Sequence, residues 1–198
     1  MKTSRVERAT KETSIRLKVG TPEDVPTRIQ TPIGFLDHML DTISRHARIG
    51  LAVDARGDVQ VDYHHTVEDV GLALGEALEQ ALGDKRGIRR YGECTVPMDE
   101  TLAQAVVDFS GRPCLVWRVE NVKGRMVGGF DAELAHEFFQ AFANRCQCNL
   151  HLRLHYGENA HHILEALWKA FARATMDASR VDPRVGEVVP STKGTLTG

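Results

Sequence analysis

The sequence lacks any apolar run long enough to span a membrane, and its polar first residues, Met1 to Arg5, have no apolar core of the kind found in signal peptides. The four cysteines show no Cys-x-x-Cys spacing, and a chain of 198 residues can bury a core without disulfides. A net charge of −2 argues against nucleic-acid binding through bulk electrostatics. We therefore expect a cytoplasmic protein with reduced cysteines and with neither a membrane nor a nucleic acid as partner.

Histidine, in contrast, is abundant: the chain has nine, and most lie in a repeated pattern. The stretches His64-His65-Thr66-Val67-Glu68 and His161-His162-Ile163-Leu164-Glu165 each open an apolar-periodic segment typical of a helix. In each stretch both histidines lie on the side of the first turn that carries the glutamate. Adjacent histidines nevertheless point about 100° apart around a helix axis. One such stretch would more often be a solvated helix start, but its repetition predicts that each contributes to two different metal ions.

The remaining pattern indicates an internal duplication. The first half predicts strands within residues 5–19, a helix carrying Leu36, Met39, Leu40 and Ile43, short strands at 51–53 and 59–62, and a helix from His64 to Leu82. The second half predicts strands at 101–109 and 114–119, a helix carrying Leu134, Phe138, Ala141 and Phe142, a strand at 150–156, and a helix capped by Asn159. His38 and His136 precede the two His-His pairs by 26 and 25 residues.

A duplicated unit of this kind predicts an α/β fold, specifically an α+β sandwich of two similar halves, each a small sheet covered by two helices. We assign residues 1–92 to the first half and 93–180 to the second. Residues 181–198 are rich in proline and glycine and are expected to form a C-terminal tail. The tail is either disordered or ordered by a ligand or a neighbouring subunit.

The repeated positions provide six imidazoles and two carboxylates, which divide into two sets of three histidines and one glutamate. The candidate ligands are His38, His64, His65, Glu68, His136, His161, His162 and Glu165. No cysteine takes part, which disfavours a structural thiolate zinc site. Nitrogen and oxygen ligands suit Mn²⁺, Fe²⁺, Co²⁺ or catalytic Zn²⁺. The sequence leaves open whether the ligands of one metal come from one chain or two.

Six motifs in the same order resemble the imidazoleglycerol-phosphate dehydratase family, over a region from Lys11-Glu12-Thr13 almost to the last residue. They are Phe35-Leu36-Asp37-His38-Met39-Leu40-Asp41, His64-His65-Thr66-Val67-Glu68-Asp69, Ser110-Gly111-Arg112-Pro113, His136-Glu137-Phe138-Phe139, Gly157-Glu158-Asn159-Ala160-His161-His162-Ile163-Leu164-Glu165-Ala166 and Ser191-Thr192-Lys193-Gly194. The resemblance implies a lyase of histidine biosynthesis that dehydrates D-erythro-imidazole glycerol phosphate to imidazole acetol phosphate through a dimetal-bound imidazolate. It also implies two Mn²⁺ ions per active site and a homo-oligomer, a 24-mer with active sites at subunit junctions.

The resemblance further implies roles for individual residues. One metal would take His38, His65, Glu68 and His161, and the other His64, His136, His162 and Glu165. The catalytic candidates are Glu12, Glu68 and Glu165, with Glu12 matching the acid/base carboxylate of the family. The substrate-binding candidates are Glu12, His38, His46, His64, His65, Arg90, Arg112, His161, Lys169, Ser191 and Lys193; among them Arg90, Arg112, Ser191 and Lys193 match phosphate-binding positions. The resemblance thus also implies that the C-terminal tail, residues 181–198, contributes to the substrate site. Tyr63 and Thr42 depart from the family pattern, which commonly has Asp and often Gln there.

Three other classes compete with this interpretation. A dinuclear metallohydrolase would usually have more aspartate and bridging carboxylates than this histidine-dominated set. A storage or structural metal protein would not need the unallotted Glu12 or the cationic residues. An α/β module that binds RNA would need a basic stripe, which the sequence lacks.

Overall fold

The computed structural model describes residues 1–184 and 186–196. The first half contains β1 (Ser4–Ala9), β2 (Thr13–Gly20), β3 (Arg28–Gln30), α1 (Gly34–Ala47), β4 (Gly50–Gly57) and α2 (His64–Leu82). The second half contains β5 (Tyr91–Met98), β6 (Thr101–Asp108), β7 (Cys114–Arg118), β8 (Met126–Val127), β9 (Phe130–Asp131), α3 (Leu134–Cys146), β10 (Asn149–Tyr156) and α4 (Ala160–Ser179). Within these residues no helix is long and apolar enough to cross a membrane.

The two halves share one topology, which confirms the duplicated α+β sandwich. The first sheet has the strand order β1-β2-β4-β3 and the second has β5-β6-β10-β7. In each sheet the last strand runs parallel to its neighbour, β3 to β4 and β7 to β10, and the other pairs are antiparallel. The repeated unit is thus three strands, a helix, a strand and a helix, and the small β8–β9 hairpin is an insertion before α3.

The helices lie between the sheets. Each pair of helices packs on the sheet of its own half, and across the halves α1 packs on α4 and α2 on α3. The alternation of burial in β2 shows that one face of the sheet is covered by the helices. Its buried residues are Thr13, Ile15, Leu17 and Val19, and the residues between them are exposed. An aromatic cluster fills the centre, where the rings of Phe138 and Trp168 lie 4.3 Å apart between centroids.

The predicted helices and their ends are largely confirmed. Helix α2 runs from His64 to Leu82 and is followed by Gly83, whose φ of 59° favours glycine. The side chain of Asn159 caps α4 by accepting the backbone N–H groups of His161 and His162.

The predicted strand at 51–53 is confirmed as part of a longer strand, but the predicted strand at 59–62 is wrong. The structure has one strand, β4, which pairs with β2 along its whole length from Gly50 to Gly57. Residues 59–62 instead belong to a turn, in which Val61 donates its N–H to the Asp58 carbonyl at 2.8 Å and is exposed. The ladder with β2 ends where Asp58 begins this turn, and so the valines beyond it have no strand to pair with.

Three further elements were not predicted. The strands β3, β5 and the β8–β9 hairpin all contain proline or glycine or lie within two residues of one, and these residues weaken a strand signal. In β5 the glycine is structural, because a Cβ at Gly92 would lie 2.1 Å from the carbonyl oxygen of Ala174. The missing side chain therefore lets β5 lie directly on α4.

Candidate metal centre

Both His-His helices start with the same arrangement of the first histidine and the glutamate. His161 Nε2 lies 3.1 Å from Glu165 Oε2, and His64 Nε2 lies 3.7 Å from Glu68 Oε2. The four-residue spacing explains this contact, since side chains one turn apart stack along the helix. In both pairs the second histidine turns away, with ring planes at 82° in the His161–His162 pair. The geometry agrees with the divergence expected from helix periodicity.

Three predicted ligands converge between the halves. His38 on α1 faces His161 and Glu165 on α4, and one potential ligand atom from each lies within 4.8 Å of the others. His38 Nε2 is 3.6 Å from Glu165 Oε2. The donor set of two imidazoles and one carboxylate fits a divalent transition-metal ion. Within residues 1–184 and 186–196 it is the one such group of three.

The carboxylate in this group, Glu165, is 8% exposed. Lys169 donates to it from the next turn of α4, with Nζ 2.8 Å from Oε1. Burial alone would raise the pKa of Glu165, but the hydrogen bond and charge of Lys169, helped by the two histidines, lower it. Glu165 is thus held ionised, as a metal ligand must be.

The other predicted ligands are distributed around this group rather than joined to it. His64 and Glu68 stay paired on α2, while His136 on α3 has Nδ1 3.0 Å from Glu137 Oε1. The structure puts Glu165 beside His38 and His161, whereas the family resemblance assigned Glu68 to those histidines. The division of the two glutamates between two metals stays a prediction.

A carboxylate that the sequence reasoning missed holds His65. His65 Nδ1 lies 3.0 Å from Asp58 Oδ2, and its Nε2 lies 3.9 Å from Glu12 Oε1. The hydrogen bond to Asp58 is the main reason that the pKa of His65 is raised. In the sequence Asp58 is a turn former at the end of a strand, so nothing in its local pattern marks this contact.

His162 is held in a similar way by the β5–β6 turn. Its Nδ1 lies 2.6 Å from Glu100 Oε2, and its Nε2 lies 3.6 Å from Asp99 Oδ2. The Glu100 hydrogen bond raises the pKa of His162. The pKa of Glu100 is itself lowered well below its ordinary value, chiefly by the backbone N–H of Asn159 and next by His162. The turn was not predicted because β5 was not, so this contact was missed.

Glu12 is placed by a buried aspartate next to the candidate ligand His65. Asp69 on α2 accepts Arg8 Nε at 2.7 Å and Thr13 Oγ1 at 2.5 Å, and it is 6% exposed. Arg8 and Thr13 lie on either side of the β1–β2 turn that carries Glu12. The two bonds fasten that turn to the first turns of α2, where His65 lies.

The cationic candidates Lys169 and His46 lie close together. Burial, followed by the charges of Lys169 and Arg173, lowers the pKa of His46, which favours a neutral imidazole. Lys169 contacts Glu165, so this pair of side chains lies next to the converging ligands.

Arg90 has a structural role in the single chain. Its guanidinium donates to both carboxylate oxygens of Asp108, at 2.7 and 3.2 Å, and to the carbonyl of Pro190 at 2.8 Å. Pro190 directly precedes Ser191, so the predicted phosphate-binding residues Arg90 and Ser191 are brought together. Lys193 is exposed two residues after Ser191, and Arg112 is exposed after β6.

The described part of the tail is ordered by the chain itself, an alternative that the sequence did not indicate. The segment between α2 and β5 supplies the contacts. Gly87 donates its N–H to the Val188 carbonyl at 3.1 Å and accepts the N–H of Asp182 at 2.8 Å. Lys85, only 2% exposed, reaches the Leu196 carbonyl at 3.4 Å.

The two departures from the family pattern do not alter the converging group directly. Thr42 is buried and donates its hydroxyl to the His38 carbonyl at 2.9 Å, one turn earlier on α1. Tyr63 occupies the cap position of α2 without a side-chain cap, and the carboxylate of Asp62 accepts the His64 N–H at 2.8 Å instead.

Comparison with known proteins identifies the class. The profile of the imidazoleglycerol-phosphate dehydratase family matches residues 31–175. The imidazoleglycerol-phosphate dehydratase of Pelobacter propionicus is 57% identical over 98% of this chain and 99% of its own length. That of Azorhizobium caulinodans is 51% identical over the whole of both chains.

Solved structures agree with the sequence relatives. The crystal structure of the enzyme from Staphylococcus aureus superposes with a TM-score of 0.82 at 37% identity, covering 91% of this chain and 99% of the other. The Pyrococcus furiosus enzyme gives 0.83 at 34% identity, covering 96% and 99%. With its duplicated fold and histidine-rich site, the protein is a hydro-lyase, an enzyme that removes water from its substrate. It belongs to the imidazoleglycerol-phosphate dehydratase family, and its activity is a dehydration in histidine biosynthesis.

Proposed function

We propose that the protein dehydrates D-erythro-imidazole glycerol phosphate to imidazole acetol phosphate with two Mn²⁺ ions per active site. The observation that carries the metal dependence is the convergence of His38, His161 and Glu165 between the halves. Three donors from two helices that are far apart in sequence meet there, and one of them is a buried carboxylate. A structural ion pair would not need the second imidazole.

Pseudo-symmetry indicates the second metal position. His38 on α1 and the His161–Glu165 pair on α4 correspond in the duplicated unit to His136 on α3 and the His64–Glu68 pair on α2. The α2–α3 contact is the counterpart of the α1–α4 contact. Bound metal ions would supply positive charge that favours the deprotonated form of the substrate imidazole.

Glu12 is the residue that we assign to proton transfer. Its carboxylate is 54% exposed and lies 3.9 Å from Nε2 of the candidate ligand His65, which supports this assignment. The reaction removes a hydroxyl group and a proton from neighbouring carbons, and the resulting enol becomes a ketone. A carboxylate that is not used as a metal ligand can carry these protons.

The cationic side chains would hold the phosphate of the substrate. Ser191 lies beside the Arg90–Pro190 contact, and Lys193 is an exposed cation in the same turn of the tail. Lys169 and His46 lie beside the converging ligands, and Arg112 is exposed. Fixing a dianionic phosphate in this way would keep the reacting carbons in register with Glu12.

Assembly would complete the metal sites. His65 and His162 turn away from the first histidine of their own pair, and neither is part of the converging group. Their Nε2 atoms would serve sites shared with neighbouring copies. A homo-oligomer, the 24-mer implied by the family resemblance, provides such junctions.

The test measures metal content and dehydration of imidazole glycerol phosphate before and after chelation and Mn²⁺ addition. We expect about two metals per chain, with activity lost and restored in step. Glu12→Gln should lower turnover by at least about a hundredfold while metal content stays unchanged. Glu7→Gln, an exposed glutamate on the strand before the same turn, serves as the matched control.

Loss of metal in Glu12→Gln equal to the loss of turnover would contradict the assignment of Glu12. Full activity after complete metal removal would contradict the metal dependence. Hydrolysis of a generic phosphoester, without dehydration of imidazole glycerol phosphate, would favour a dinuclear hydrolase instead.

A further inference from the structure

The second histidine of each pair is held by a carboxylate at Nδ1. Asp58 provides this carboxylate for His65 and Glu100 provides it for His162. We propose that Glu100 and Asp58 are positioning residues that keep the Nδ1–H form of these histidines and so leave Nε2 free to bind a metal ion. The inference rests on the proposed metal-dependent function and adds two residues to it.

The position of the two carboxylates in the fold argues that this contact is not a by-product of duplication. Asp58 follows β4, just before α2, whereas Glu100 lies in the turn between β5 and β6. The duplicated counterpart of the β5–β6 turn is the β1–β2 turn, which carries Glu12 rather than Asp58. Two unrelated positions thus supply the same group to the same ring nitrogen.

Glu100 is fixed before it meets the histidine. Its Oε1 accepts the backbone N–H groups of Glu158 at 3.2 Å and Asn159 at 2.8 Å, and the hydroxyl of Thr101 at 3.1 Å. Its Oε2 then accepts from His162 Nδ1 at 2.6 Å. Since Asn159 caps the helix that carries His162, the carboxylate and the imidazole are fastened to the same helix start.

Asp58 is fixed through its backbone. Its N–H donates to the Glu12 carbonyl at 3.1 Å, and its carbonyl accepts the N–H of Val61 at 2.8 Å. Both carboxylate oxygens lie near His65 Nδ1, at 3.0 and 3.3 Å. The Asp58 side chain is only 18% exposed, so water does not easily take its place beside His65.

The chemical consequence is a choice of tautomer. A neutral imidazole has one N–H donor and one nitrogen acceptor, and an ionised carboxylate can only accept. The proton is therefore on Nδ1, and the lone pair of Nε2 faces away from the carboxylate. Partners of this kind orient metal-binding histidines, and their removal typically costs about 10-fold to 100-fold in metal affinity.

Glu100→Gln is the informative variant. The glutamine oxygen can keep the two backbone bonds, which turns its NH₂ group toward His162 Nδ1. The imidazole must then accept at Nδ1 and carry its proton on Nε2, as happens when the orienting aspartate of a catalytic triad becomes asparagine. Glu93→Gln, on the exposed side of β5 in the same hairpin, is the matched control.

Solid-state ¹⁵N NMR of the metal-free protein, with its histidines ¹⁵N-labelled, reports the tautomer at a pH above the histidine pKa. The signal that disappears in His162→Asn is assigned to His162. We expect Nδ1–H in the wild type and in Glu93→Gln, and Nε2–H in Glu100→Gln. Mn²⁺ affinity, measured by competition with a chelator, should fall by about 10-fold to 100-fold in Glu100→Gln alone. The urea midpoint should stay close to that of the wild type.

An Nε2–H form of His162 in the wild type would overturn the inference, as would unchanged tautomer and Mn²⁺ affinity in Glu100→Gln. Unfolding of Glu100→Gln at a much lower urea concentration would also overturn it, because the carboxylate would then be a structural support. A wild type that binds Mn²⁺ and shows the expected tautomer, but has no dehydratase turnover, would contradict the proposed function and leave the positioning role standing.

Discussion

The contact between α2 and α3 depends on a glycine, and we predict that Gly71→Ala weakens the fold. A Cβ built at Gly71 would lie 2.6 Å from the carbonyl oxygen of Phe138 and 3.2 Å from the Cβ of Ala141. Ordinary van der Waals contact begins near 3.4 Å, so the helices would have to separate by about 0.8 Å. Because the nearest atom is backbone, no side-chain rotation relieves the clash.

The magnitude follows from two opposing effects. Overpacking of a close-packed interface typically costs about 1–3 kcal/mol. Alanine is the better helix former, and it returns about 1 kcal/mol. The expected net change is a loss of about 0–2 kcal/mol of unfolding free energy.

Urea unfolding followed by circular dichroism measures this loss directly, and Gly34→Ala is the matched control. A Cβ at Gly34, the first residue of α1, meets nothing within 4 Å, so we expect a change within about 0.5 kcal/mol. If Gly71→Ala were more stable than the wild type, as the higher helix propensity of alanine alone would make it, the close approach of α2 and α3 would be refuted. The pseudo-symmetric second metal position, which depends on that contact, would lose its support.

Two further predictions concern the surroundings of the site. Asp69→Asn should cost about 1–3 kcal/mol of unfolding free energy, since it removes the charge that holds Arg8 and Thr13; an unchanged urea midpoint would contradict this. Burial and nearby cations lower the folded-state pKa of His46, so its contribution to stability is complete above the unfolded pKa of about 6.5 and is lost as the pH falls below that value. The stability loss between about pH 7.5 and about pH 5.5, measured without added metal, should be smaller in His46→Gln than in the wild type, and an equal loss would argue against the assignment.

The fold could be predicted where the hydrophobic period was long and uninterrupted. Helices α2 and α4 carry apolar stripes of five turns; both bounds of α2 and the start of α4 after Asn159 were predicted as observed. The short strand β3 and the glycine-containing strand β5 gave no comparable signal. A glycine such as Gly92 weakens the strand signal of β5 in the sequence. In the structure, the absence of a side chain at Gly92 is what lets α4 pack against the strand.

The candidate ligands could be predicted because helix geometry is local. A glutamate four residues after a histidine must lie one turn away, and the duplication pointed to His38 and His136 as partners. The meeting of His38 with His161 and Glu165 is not local, since it depends on how α1 packs on α4 across the two halves. No spacing in the sequence measures that packing.

The same distinction between local and non-local contacts explains why the sequence does not predict the contacts of Asp58 and Glu100. Each lies in a turn where an acidic residue is ordinary, and each reaches its histidine only after two elements are in place. Glu100 lies 62 residues before His162, and the backbone N–H groups that hold it come from the loop before α4. A ligand is recognised by its type and spacing, whereas the residue that orients it is recognised only by the bond it makes.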